Sequence, residues 1–312
     1  MTMYTSIVVP LDGSEIGGRA LPVALTLANR WGASVHLVHV REPVLFLEGE
    51  TAYEAHLPDQ QHQTVVARVT AMAARLARDT SLNVDAQFLE GRVVPSLQRY
   101  LANGAHHLVV MTTHGRGGLN RAWLGSVADG LIRVAPVPLL LLRQDTEWQR
   151  HAREPLFRRI LIALDGSAMA ETVLDHVVSL GTSGVTEYVI LSVVAPHHEA
   201  DPRMADSETL VGHSIDERQR DAAHHYLNGV ASDVRSGGAL VTVRVEVHLH
   251  TAQGILDVAT EHHVDLIALS THGRGGLARL MHGSVADKVL RGADLPVFVY
   301  RPKEAALADA RS

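Results

Sequence analysis

The 312-residue chain sets 28 Lys and Arg against 34 Asp and Glu, a formal charge of −6 with histidine neutral, which excludes a protein built to coat nucleic acid or an anionic membrane. Hydrophobic residues at 46% supply buried cores and exclude a disordered chain, and the lack of cysteine excludes disulfides, a thiolate nucleophile, iron–sulfur ligation and Cys-based zinc. The longest apolar stretch, residues 134–142, is interrupted by Pro136 and Pro138 and is far short of the roughly 20 residues of a bilayer span, and the N-terminus lacks a basic n-region, so a cytoplasmic globular protein of two domains is expected. Residues 4–11 form a β-branched run ending at Asp-Gly, the pattern of a strand entering a turn. Ser14 can cap the helix that follows, in which Ala20, Val23, Ala24 and Leu27 fall at helical spacing. Residues 34–40 read as a second strand and 42–59, with two prolines and a glycine, as a long loop. An Ala-rich helix over 60–78 places Val65, Val69, Met72 and Leu76 on one face; 83–89 is a strand, 93–101 a short helix and 107–112 a buried strand. A glycine-rich loop, a helix over 125–134 and a strand over 137–142 complete the unit.

The unit is then written again. Thr113-His114-Gly115-Arg116-Gly117-Gly118-Leu119 recurs unchanged from Thr271 to Leu277, and Gly125-Ser126-Val127-Ala128-Asp129 returns from Gly283 to Asp287, both at an offset of 158 residues (His114 to His272, Gly125 to Gly283). Pro138 and Pro296 share that offset, while Leu11-Asp12-Gly13-Ser14 returns as Leu164-Asp165-Gly166-Ser167 at 153, so five extra residues sit inside the second copy. Its strands are expected near 157–164, 186–194, 240–248, 264–270 and 296–300. Five strands alternating with four helices predict a doubly wound, five-stranded parallel sheet in each copy. The expected organisation is a domain over 1–144, a linker over 145–156, a second domain over 157–302 and a tail over 303–312.

In an open α/β sheet, ligands sit beyond the carboxyl ends of the strands. Asp12-Gly13-Ser14 and Asp165-Gly166-Ser167 lie at one such end, and each reads equally as a turn with a helix cap. The loops over 115–125 and 273–283 lie at another. Their glycines let backbone approach a ligand, and their Gly-Ser ends open a helix whose free amides favour an anion. No Gly-Lys-Ser/Thr exists for a Walker A loop, and a dinucleotide fingerprint belongs after the first strand, not the fourth. Without the P-loop lysine, only Arg116 or Arg274 meets charge developing on a γ-phosphate, so holding a nucleotide is easier to argue than splitting one.

These residues resemble the universal stress protein family, and the chain is similar to a tandem member with two such domains. The carriers are the first-strand Asp-Gly-Ser, the long loop after the second strand and the T-H-G-R-G-G-L…G-S-V-A-D block ahead of a Pro-Val type last strand. The resemblance implies a Rossmann-like, adenine nucleotide alpha hydrolase-like fold and an ATP-binding pattern G-x2-G-x9-G-S/T. Gly115, residues 116–124 and Gly125-Ser126 match it, as do Gly273, residues 274–282 and Gly283-Ser284, but the first glycine is Thr112 in one copy and Ser270 in the other. By resemblance Asp12 and Asp165 meet the ribose, Val40 and Val193 line the adenine pocket beside Pro10 and Ala163, and Gly115, Arg116, Gly118, Gly125, Ser126 and Val127 hold the phosphates. Gly273, Arg274, Gly276, Gly283, Ser284 and Val285 do so in the second copy, where His282 replaces Leu124. The ligand implied is ATP, with or without Mg2+; the last strands imply an internal pseudo-dimer of the two domains, with a further homodimer and an unnamed protein partner left open.

Twenty histidines are a compositional oddity, with pairs at 106–107, 197–198, 224–225 and 262–263. His248 and His250 are expected on one face of a strand. His197, His198, Glu199 and Asp201 are the sequence-local candidates for a metal, against the plainer reading of solvated loop residues, which is preferred. His114 and His272 are expected to order the glycine loops. No Ser–His–Asp arrangement is legible and no catalytic residue is assigned. Three readings follow: a nucleotide-binding stress-response or signalling module, preferred; a slow ATPase or a phosphotransferase modified at Ser126 or Ser284; and an interaction module of the same fold that binds no nucleotide.

Overall fold

The computed structural model describes residues 4–14, 17–43, 52–103, 107–113, 124–143, 153–196, 208–271 and 284–302. The chain divides into two compact units, Met1–Leu156 and Phe157–Ser312. No helix among the described residues is long and apolar enough to cross a membrane.

In the first unit the elements run β1 (Ser6–Pro10), a 3-10 turn (Gly17–Ala20), α1 (Leu21–Trp31), β2 (Ser34–Arg41), α2 (Ala52–Thr80), β3 (Val84–Glu90), α3 (Val93–Ala102), β4 (His107–Thr112), α4 (Ser126–Val134) and β5 (Leu139–Leu142). The strands pair in parallel in the order β3-β2-β1-β4-β5. The second unit repeats the plan: β6 (Arg159–Ala163), two short helices α5 (Ala168–Glu171) and α6 (Val173–Val177), β7 (Glu187–Val194), α7 (Glu208–Ser236), β8 (Leu240–Val247), α8 (Thr251–Glu261), β9 (Leu266–Ser270), α9 (Ser284–Gly292) and β10 (Val297–Tyr300). Its order, β8-β7-β6-β9-β10, is likewise all parallel. The doubly wound α/β architecture expected from the alternation is therefore the one observed, twice.

Central strands are apolar on both faces because helices cover both, as in parallel sheets generally. Ile7, Val8 and Val9 of β1 and Ile160, Leu161 and Ile162 of β6 are fully buried. The helical stripe read from the sequence, Ala20, Val23, Ala24 and Leu27, is buried to zero exposure against them. Phe157, just ahead of β6, is already fully buried, and its carbonyl accepts the Thr186 hydroxyl at 2.7 Å.

Two expectations are corrected. Residues 52–59 were expected in a loop, yet α2 begins at Ala52 and passes through Pro58. Ala52, Glu54, Ala55 and Leu57 are strong helix formers, and Pro58, the seventh residue, forfeits one backbone bond in a helix of 29 residues, so the rest of the helix outweighs the breaker. His248 and His250 were expected on a strand, yet β8 stops at Val247 and His250 is the N-cap of α8. The ladder ends where β7 ends: the His248 N–H donates to the Val194 carbonyl, the last residue of β7. The chain then turns, and His248 Nδ1 accepts the His250 N–H at 2.9 Å. The expected 303–312 tail, and all of the 145–156 linker but its last four residues, lie outside the described residues.

Candidate functional site

A strand order of β3-β2-β1-β4-β5 has its switch point between β1 and β4, whose crossovers leave in opposite directions and open a crevice at their carboxyl ends. The β1–β4 ladder ends at Val8 and Val109, two residues short of Pro10, so proline's missing N–H forfeits no bond there. The same opening lies between β6 and β9, where pairing ends at Ile162 and Ala268.

The Asp-Gly-Ser turns sit on this crevice and are built alike. Asp12 Oδ1 accepts the Ser14 N–H at 2.8 Å and the Ser14 hydroxyl at 2.6 Å. Asp165 Oδ1 accepts the Ser167 N–H at 3.0 Å and its hydroxyl at 2.6 Å. Each serine in turn caps the following helical turn, Ser14 Oγ accepting from the Gly17 N–H at 3.3 Å and Ser167 Oγ from the Ala170 N–H at 3.1 Å. The glycines between them, Gly13 and Gly166, have φ of 79° and 80°, the left-handed region where a side chain is penalised. The turn and the cap read from the sequence are thus both real, and both carboxylates are exposed at fixed positions.

Across the crevice, Thr112 and Ser270 end β4 and β9, paired with Leu142 and Tyr300. Thr112 is buried to 7% exposure, so little of the side chain replacing the first motif glycine faces the crevice. Just beyond it, the Thr113 N–H donates to the Leu142 carbonyl at 2.9 Å and the Thr113 carbonyl accepts the Gly125 N–H at 2.6 Å, which pins both ends of the glycine loop together. Gly125, extended at φ −61° and ψ 147°, is the N-cap of α4, and no side chain among the described residues caps that helix. Its first amides, on Ser126 and Val127, therefore open beside β4, and Ser126 is exposed. In α4 Asp129 pairs with Arg133 at 2.8 Å, and in α9 Asp287 pairs with Arg291 at 2.9 Å, so the first-turn acid in each helix is already matched by its own arginine. Ser284 and Val285 open α9 in the same register.

Val40 and Val193 sit near the ends of β2 and β7, half-buried, opposite Leu89 and Glu246. Pro10 and Ala163 are half-buried at the ends of the first strands. The structure thus brings Pro10, Asp12, Val40, Thr112, Gly125, Ser126 and Val127 to one end of one sheet, and Ala163, Asp165, Val193, Ser270, Ser284 and Val285 to the same end of the other. Gly115, Arg116, Gly118, Gly273, Arg274, Gly276 and Gly283 lie outside the described residues, as do His114 and His272 and the group His197, His198, Glu199 and Asp201.

One residue with no motif of its own, His39, joins the first crevice. The His39 Nδ1–H donates to the Leu11 carbonyl at 2.8 Å, immediately before Asp12, and its ring stacks on His62 of α2 at 5.9 Å between centroids. The second copy has Ser192 there, and only the alignment of the two copies on their Asp-Gly-Ser motifs hints at the difference. Other histidines also have structural partners: His36 pairs with Asp85 at 2.7 Å, and His107 Nδ1 meets the Ser6 hydroxyl. Among the described residues no group of three or more His, Asp and Glu is arranged to hold a metal.

The family model described as the Universal stress protein family matches residues 3–143 and, separately, 156–301. The chain belongs to the universal stress protein family. A universal stress protein of Mycolicibacterium smegmatis is 25% identical over 302 residues, 95% of this chain and 97% of its own length. One from Thermus aquaticus is 32% identical over 142 residues, 45% of this chain but all of its own, the size of a single domain. Among solved structures, a universal stress protein from Archaeoglobus fulgidus superposes with a TM-score of 0.64 at 19% identity, covering 97% of this chain and 99% of that one. The tandem arrangement of two family domains is therefore shared with full-length relatives.

Proposed function

We propose that each unit holds an adenine nucleotide, ATP in the first instance, in the crevice at its switch point, and that the protein acts as a nucleotide-responsive stress or signalling module. The observation that carries the reading is the doubled aspartate turn: two sequences apart in the chain fix a carboxylate oxygen by the same two serine bonds beside the same strand opening. An exposed, acceptor-only carboxylate in a rigid position suits vicinal hydroxyls, here the 2′ and 3′ hydroxyls of ribose. The uncapped start of α4 offers backbone amides and the positive end of a helix dipole to phosphate. Val40 and Val193 supply apolar contact for the base. Neither Gly-Ser is preceded by a P-loop lysine to meet charge developing on a γ-phosphate, which favours holding over hydrolysis.

The test is direct. The protein is purified without added nucleotide, denatured, and the supernatant run on anion exchange at 260 nm. Two nucleotides per chain are expected, one per crevice; Asp12→Ala or Asp165→Ala is expected to leave one, and the pair none. A chain empty as purified, with no heat of ATP binding in calorimetry, would favour the interaction-module reading instead.

A further inference from the structure

Three of the five large apolar side chains exposed among the described residues fall on or just after one strand, β8. The five are Phe88 on β3, Val185 just ahead of β7, and Leu240, Val247 and Leu249 on and just after β8, the last three at 50%, 40% and 68% exposure. β8 ends the strand order of its unit, with β7 on one side and no strand paired on the other among the described residues. An unpaired edge lined with apolar side chains is a template for another strand.

The direction of its backbone groups follows from the ladder. The His248 N–H donates to the Val194 carbonyl, and in a parallel ladder alternate residues address the same neighbour. Thr242, Arg244 and Glu246 therefore bond to β7, while Val243, Val245 and Val247 aim their N–H and C=O groups outward. Val241 does too, and its carbonyl accepts from Arg235 Nη2 at 3.0 Å, which closes that end of the edge.

The open stretch reads Val243-Arg244-Val245-Glu246-Val247, a palindrome in apolar positions with its charges inverted. We propose that β8 is a docking edge for a second copy of this chain, joined antiparallel about a two-fold axis at Val245. In that register Val243, Val245 and Val247 exchange both backbone bonds with Val247, Val245 and Val243 of the second copy. Arg244 and Glu246 then fall at non-hydrogen-bonded positions, where facing side chains approach most closely, and each meets the opposite charge. Other registers are penalised. Centring on Arg244 sets arginine against arginine, and centring on Val243 leaves Arg244 opposite Thr242 and Glu246 opposite Leu240. Charge complementarity thus selects this chain itself over an arbitrary extended peptide, and Leu249 is carried to the rim of the same contact. The equivalent edge of the first unit, Val84-Asp85-Ala86-Gln87-Phe88-Leu89-Glu90, carries acids and no base and has no such self-complementary register.

The contact is short, and a micromolar dimer is expected by sedimentation velocity over a concentration series of the full chain, weakening as salt rises. Arg244→Glu and Glu246→Arg are each expected to raise the dimer dissociation constant at least tenfold, because each places like charges opposite one another twice. Mixed in equal amounts, the two variants are expected to form a heterodimer as tight as the wild type, since every facing pair is again opposite in charge; this recovery also shows that both variants are folded. A monomeric wild type at several hundred micromolar, a dimer indifferent to either substitution, or two variants that fail to recover on mixing would each overturn the proposal.

Discussion

The residues that most define this protein act through their immediate neighbours. Asp12 and Asp165 are held by bonds spanning two residues, and those bonds require the positive φ of Gly13 and Gly166. Gly166→Val is therefore expected to cost about 1–2 kcal/mol by urea denaturation and to remove the second nucleotide, while Ser167→Ala is expected to cost about 1 kcal/mol through the lost cap and to release one of the two bonds that hold Asp165. His176 is a different case. Burial against the ring of Tyr300, 4.0 Å between centroids, lowers its pKa from 6.5 to about 4. A folded-state pKa below the unfolded one contributes stability above pH 6.5 that is lost as pH falls towards 4, because only the unfolded chain takes up the proton over that range. The loss is on the order of 2–3 kcal/mol. His176→Val, which installs the residue found at the matching position of the first copy, Val23, is expected to flatten this part of the stability–pH curve in paired denaturant titrations. The aspartate turns were legible in the sequence because their bonds are local. The histidine's behaviour was not, because Tyr300 reaches it only through the fold.

Among the elements, strand positions were read to within a few residues, since β-branched runs bounded by Gly, Pro and Asp mark them well. The two differences have separate causes, one local and one tertiary. The start of α2 is hidden by Pro58, a breaker that a 29-residue helix carries at the loss of one backbone bond, and the end of β8 is set by the length of β7, which no pattern within 240–250 encodes. Contacts between elements were equally invisible. A Cβ on Gly130 of α4 would lie 2.6 Å from Val94 Cγ2 of α3, and one on Gly181 would lie 1.9 Å from the Tyr188 hydroxyl, which donates to the Val178 carbonyl at 2.7 Å. Gly181→Ala is therefore expected to displace Tyr188 and destabilise the protein by about 1–3 kcal/mol, read as a lower denaturation midpoint at unchanged slope.

For the whole molecule, the repeat is the governing fact. Two units with the same topology present the same crevice, so on the proposed reading ligand linkage should be doubled. At a free ATP concentration of a hundred times the dissociation constant, each occupied site is expected to add about 2.7 kcal/mol, and Asp12→Ala should halve the gain seen in thermal unfolding. The copies are not equivalent, however. His39 and its stacking partner His62 brace the strand end before Asp12, whereas Ser192 stands at the matching point of the second unit. By itself the sequence determined the fold class, the duplication and the candidate crevices. Strand and helix periodicities are local, and a motif written twice at fixed spacing is unlikely to arise from turn-making alone. Only the tertiary structure decided which neighbours each residue meets: that Thr112 is buried in a ladder, that His176 lies against Tyr300, and that β8 is left as an edge. Those outcomes depend on which strands become neighbours, and that pairing joins segments far apart in the chain.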